Sequence, residues 1–112
     1  MENYTNKSGQ LMRSTKMPKT GILWMARVGG FDVVAYDNDI YLGAFGPDAA
    51  TMIAGRAMAT PDADKRIAWA ANRLKICATA RELIDRTPEH PLRDALHAAS
   101  LAEEALLMDW FA

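Results

Sequence analysis

Four sets of residues in this chain have types and spacings from which chemistry can be built, and each also has a plainer structural reading. Asp32 with Asp37-Asn38-Asp39 gathers carboxylates suited to a hard cation, but no glycine or distal glutamate completes a calcium loop, and a solvated turn is the better account. His90 and His97 share a helical face only if Pro91 leaves the helix intact, and two ligands make an incomplete metal site in any case. Cys77 falls on an apolar helical stripe where burial makes a thiol inert, so core packing outweighs a thiolate pair with His97. Gly29-Gly30, in "RVGGFDVV", is followed by neither a phosphate-loop lysine nor a dinucleotide fingerprint and reads as a turn. With no paired acid and base and no activated nucleophile, the expectation is a chain that is not an enzyme and holds no cofactor and no metal.

A fifth group points to binding instead. Arg66, Arg73 and Arg81 interrupt the apolar circumference of a long helical pattern, and Trp69 stands among them. In the plain reading their heads reach water over aliphatic stems at the margins of a packed helix. In the sharper one they form, with Trp69, a protein-binding patch, because Arg and Trp are enriched among the anchors of protein interfaces.

The chain that must position these residues has 112 amino acids, enough for one core and too few for two. Half of it is hydrophobic and about a quarter charged, which is the composition of a globular domain. A single cysteine excludes a disulfide framework and a multi-cysteine zinc site and suits a reducing, cytoplasmic setting. No segment reaches the length of a membrane span, and the first twenty residues lack the apolar centre of a signal peptide. The glycosylation patterns "NYT" and "NKS" therefore read as chance. Net charge is −1, with four basic residues against Glu2 in the first twenty positions and a mildly acidic remainder. Four dispersed charges fall short of the basic stripe of a dedicated nucleic-acid reader.

Residues 1–20 are polar and aperiodic and read as a flexible basic leader, with 21–112 as a single domain. "ILWMARV", "FDVVAY" and "IYLGAF" are three short strands separated by Gly-Gly and by Asp-Asn-Asp, a three-stranded antiparallel meander. Pro47 and Asp48 then start a helix over about 47–59, whose alanines allow close approach to the sheet. Two longer helices follow, each introduced by Thr-Pro, with Thr60 and Thr87 as the expected caps and a loose first turn at Pro91. In the first, Ile67, Ala70, Ala71, Leu74, Cys77, Ala78 and Ile84 form the main apolar stripe. In the second, Leu92, Ala95, Leu96, Ala99, Ala102, Leu106 and Trp110 lie on one face, with His97, Ser100 and Glu104 opposite. The fold class is α+β in the order β-β-β-α-α-α, the last two helices forming a long antiparallel hairpin.

The segment from Trp24 to Ala59, with "IYLGAFGPDAATMIAGRAMA", resembles the three-strand-plus-helix domain of plant ethylene-response factors and is similar to the arm-binding domain of phage tyrosine integrases. The resemblance implies a sheet that reads DNA through its exposed face, with Trp24 and Arg27 on the strands and Lys16 and Lys19 in the leader as the contacts. Against that, Asp32, Asp37 and Asp39 surround the one strand arginine, and carboxylates facing phosphate oppose duplex binding. The chain as a whole resembles small accessory proteins of phages and mobile elements, many of which block a host protein.

The leading expectation is therefore a non-enzymatic protein-binding module, in the manner of an anti-CRISPR inhibitor of a host defence complex. Its partner would be a host protein or complex, or a second copy in a homodimer. The alternative is a DNA-binding or DNA-architectural accessory protein. Nucleic acid ranks below protein as a partner, and no membrane is expected.

Overall fold

The computed structural model describes residues 3–5, 11–13, 21–36, 39–44 and 46–111. Its sheet is organised by Gly29 and Gly30, which have φ of 59° and 90°. Two successive positive φ values make the tight two-residue loop whose twist matches that of antiparallel strands. The loop joins β3 (Trp24–Val28) to β4 (Phe31–Ala35), with Val28 opposite Phe31 and Trp24 opposite Ala35. On the other edge of β4 runs β5 (Ile40–Gly43), with Ala35 opposite Ile40. At that second turn the Tyr36 N–H donates to the Asp39 carbonyl at 2.8 Å, and the Asp39 carboxylate accepts from the Ile40 N–H. Asp37 and Asn38, expected as its turn residues, lie outside the described residues.

Upstream, β1 (Asn3–Thr5) and β2 (Leu11–Arg13) pair antiparallel, Tyr4 opposite Met12, within the segment expected as an aperiodic leader. Strands of three residues are too short to register as an alternating pattern, so the sequence carries no signal for them.

Three helices follow. α1 (Ala49–Ala59) is capped by Asp48, whose Oδ1 accepts from the Thr51 N–H at 2.7 Å. It seats on the other helices rather than on the sheet: Ala49 and Ile53 pack with Ala70 and Leu107. α2 (Ala63–Ile84) is capped not by Thr60, which ends α1, but by Asp62, which accepts from the Asp64 and Lys65 N–H groups. α3 (Arg93–Met108) runs back along α2 and ends in a 3₁₀ turn, Asp109–Phe111. Thr87 does not cap it, for its hydroxyl donates back to the Ile84 carbonyl at the end of α2. The stretch before α3 is a run of turns in which the Leu92 N–H donates to His90 Nδ1. The α+β class and the order of meander and helices are those expected from the sequence. No helix among the described residues is long and apolar enough to cross a membrane.

Alternation along the strands sends Trp24, Ala26, Val28, Phe31, Val33, Ala35, Ile40 and Leu42 to one face, where they meet Cys77, Ala80, Ile84 and Leu96 of the helical hairpin in the main core. A smaller core under α1 holds Ala49, Ile53, Ala70 and Leu107, edged by Met52, Trp69, Leu74 and Trp110. α3 is rotated from its expected face, while α2 keeps Ala70, Cys77 and Ile84 of its expected stripe inside and adds Arg73. α2 buries Ala70, Arg73, Cys77, Ala80 and Ile84, leaving Ile67 exposed. α3 buries Leu96, Ser100, Glu103 and Leu107, a face turned roughly 80° from the alanine-rich one at 100° per residue.

The rotation has a chemical cause. Between the two apolar cores, Arg73 (7% exposed) donates through Nε to Glu103 Oε2 at 2.8 Å and through its other arm to the Arg27 carbonyl. Glu103, fully buried, accepts from the Gly29 N–H at 2.8 Å through its second oxygen. One ion pair thus joins both long helices to the tip of the sheet's first hairpin, and its groups are buried because each has partners.

Candidate protein-binding site

α1 is built of small residues, and packing Ala49 and Ile53 inward leaves Met52, Gly55, Arg56 and Ala59 along its side facing α2. With Trp69 and the exposed edge of Arg73 they line an open groove of about 510 Å³. A side-chain carbon built on Gly55 would meet nothing within 4 Å, so the groove floor at that point is backbone. A second groove of about 380 Å³ lies among Ala57, Ala63, Arg66, Ile67 and Trp110.

Two tryptophans join these grooves. The Trp69 and Trp110 rings are 5.5 Å apart, tilted by 39°, and both are half-buried. The Arg56 guanidinium sits over the Trp69 ring, 5.2 Å from its centre, a cation–π distance. Among the described residues no carboxylate pairs with Arg56. Arg66 is held differently: one arm donates to the Thr60 and Pro61 carbonyls, closing the end of α1 against the start of α2. Large exposed apolar side chains stand on the elements around the grooves, Met58 on α1, Ile67 on α2 and Phe111 beyond α3.

The proposed patch of Arg66, Trp69, Arg73 and Arg81 is not one surface. Trp69 and Arg66 line the two grooves, but Arg73 is engaged in the interior and offers only an edge. Arg81 lies further along α2, donating to Ser100 and to Glu104 at 2.9 Å, because α3 presents both acceptors to it. Arg56, Gly55 and Trp110 were not among the expected site residues. Trp110 carried a signal, a terminal tryptophan in register with an apolar face; Arg56 and Gly55 had none until the seat of α1 was known.

The residues of the DNA-binding alternative fare as follows. Trp24 belongs to the inner face and packs against the main core, since strand alternation points it there. Arg27 is on the outer face, its Nε donating to Asp32 at 2.8 Å, a bond that raises its pKa further and matches its charge with a neighbouring carboxylate. Lys16 and Lys19 lie outside the described residues.

Among the described residues no three His, Cys, Asp or Glu side chains gather as metal ligands. Cys77 is buried, and burial, with the Glu103 carboxylate second, pushes its pKa up to about 12, which keeps the sulfur a thiol. His97 Nε2 donates to Asp85 Oδ1 at 2.8 Å, and Arg93 meets the same oxygen at 2.9 Å. The hydrogen bond from His97, with lesser help from Arg93, lowers the Asp85 pKa. That cluster ties the end of α2 to the start of α3.

No protein-family model matches the chain, and neither the curated proteins nor the solved structures yield a match.

Proposed function

We propose that this chain is a non-catalytic protein-binding module that docks through the groove between α1 and α2. The observation that carries the reading is Arg56 stacked on Trp69, without a carboxylate partner among the described residues, at the rim of an open groove floored by Gly55. Trp and Arg in contact beside a pocket are the composition of an interface anchor. The partner surface that fits is an apolar side chain small enough to enter the groove, with a carboxylate beside it to meet Arg56. Occupying the surface of a host defence complex is the form of this activity that the resemblance to mobile-element accessory proteins suggests. Duplex binding through the sheet draws no support from an outer face whose arginine is already paired.

Gly55 makes the reading testable without damage to the fold. Replacing a solvent-facing helical glycine by leucine favours the helix by up to about 1 kcal/mol and fills the groove. Wild type, Gly55→Leu, Arg56→Glu and the exposed control Lys75→Glu are used as baits in a lysate of the source organism, with quantitative mass spectrometry. A partner retained by wild type and Lys75→Glu and lost from both groove variants is expected. An identical set of bound proteins on Gly55→Leu would place binding elsewhere.

A further inference from the structure

The outward side of α3 is apolar from end to end. Its exposed residues between Asp94 and Asp109 are Ala95, Ala98, Leu101, Ala102, Ala105, Leu106 and Met108, with Leu101 and Met108 each 53% exposed and Leu106 39%. At 100° per residue they cover an arc of roughly 160°, wider than the stripe a helix ordinarily turns to a core, over a length of about 20 Å. The polar groups beside this arc are already matched: Glu104 with Arg81, and His97 with Asp85. We propose that a second copy of this chain covers the face, with the two α3 helices antiparallel across a two-fold axis near Leu101 and Ala102.

Three observations select this occupant. First, the face has no charge between its ends and matched pairs along its rim, so what complements it is another uncharged helical ridge, which α3 itself supplies. Second, large and small side chains alternate so that the antiparallel arrangement sets Leu101 against Ala102 and Met108 against Ala95, with Ala98 against Ala105. A parallel pair would set Leu101 on Leu101. Third, the antiparallel pair opposes the helix dipoles. A two-fold axis makes one such face self-complementary. Two helix faces of this length bury less than the roughly 1,200 Å² of a standard interface, so the dimer is weak and reversible.

Sedimentation velocity on the full chain, from about 1 to 500 µM, reads the outcome, since a weak interface dissociates in that range. Wild type is expected to move with concentration from the 12.3 kDa monomer toward twice that mass. Leu101→Glu is expected to weaken association at least about tenfold, because it buries a charge at the axis, with circular dichroism confirming an unchanged fold. Orientation is read by oxidation of variants that each add one cysteine, Cys77 being buried and inert. Ala102→Cys lies at the axis and cross-links, whereas Ala95→Cys lies near opposite ends of the two helices and does not. A monomer at every concentration, a dimer indifferent to Leu101→Glu, or equal cross-linking through position 95 would each overturn the proposal. The groove of α1 and α2 takes no part in these measurements, so either reading can fail alone.

Discussion

Removing Arg73 strands a carboxylate. In Arg73→Met the Glu103 side chain, fully buried, keeps the Gly29 N–H but loses both contacts to the guanidinium, at 2.8 and 2.7 Å. Breaking a buried ion pair from one side typically destabilises by about 3–5 kcal/mol. The Arg27 carbonyl also loses its donor, and a buried polar group left unpaired adds about 1 kcal/mol or more. The single variant is therefore expected to lose about 4–6 kcal/mol, a large part of the stability of a small domain. Arg73→Met with Glu103→Leu removes both charges; what remains is the unpaired Gly29 N–H and Arg27 carbonyl, about 1–3 kcal/mol each, offset in part by new apolar burial. The double variant should then be more stable than Arg73→Met alone, with a coupling energy of at least about 2 kcal/mol. Urea unfolding followed by tryptophan fluorescence and far-ultraviolet circular dichroism, on all four members of the cycle, measures it. Additive single effects, or a loss under about 1 kcal/mol for Arg73→Met, would refute the assignment of this pair as the joint between helices and sheet.

Gly29→Ala should lower the urea midpoint more than Gly30→Ala. Both add about 1–2 kcal/mol of left-handed strain, but at Gly29 the new carbon also lies 2.6 Å from Ala99 Cβ and 2.8 Å from its carbonyl oxygen, against 3.6 Å to the nearest atom at Gly30. Asp62→Ala is expected to destabilise by about 0.5–2 kcal/mol and Thr60→Ala by less than about 0.5, and the reverse order in thermal unfolding would return the cap of α2 to the threonine. Hydrogen bonding to His97 lowers the Asp85 pKa, so the folded value lies below the unfolded one; its contribution is present above the ordinary aspartate range and is lost as pH falls through the folded value. The stability difference between wild type and Asp85→Asn should therefore be present at neutral pH and vanish in acid near or below the usual 3.8, and a difference unchanged by acid would exclude this role.

The meander and the three helices were legible because their signals are local. Gly29-Gly30 can be read as a two-residue turn from the residues alone, and apolar, β-forming runs flank it. The caps were legible in kind but not in place: Thr60 and Asp62 are both good capping residues, and which one is used depends on where α1 ends. The groove was half legible. Trp69 stands out in any reading of the long helix, but Gly55 and Arg56 become site residues only when Ala49 and Ile53 turn inward against Leu107, a contact between residues far apart in the chain.

The helix faces were misread for one shared reason, and it connects the core to the surface. A pattern reading excludes Arg73, Ser100 and Glu103 from the interior because a buried charge or hydroxyl is unfavourable without a partner. Arg73 and Glu103 meet across thirty residues of chain and reach backbone groups of the sheet, and Ser100, besides bonding within its own helix, accepts from Arg81 nineteen residues away; nothing local announces these long-range partners. Once Glu103 turns in to meet Arg73 and Gly29, a rigid helix must turn with it, and Ala95, Ala102 and Leu106 are carried outward to join Leu101 and Met108, which lie off the expected face as well. The full width of the apolar surface of α3 is thus a consequence of the buried ion pair. A protein with the Arg73→Met and Glu103→Leu substitutions would keep that surface only if α3 held its rotation without the pair, so sedimentation of the double variant asks whether the joint in the core also sets the face offered to a second copy.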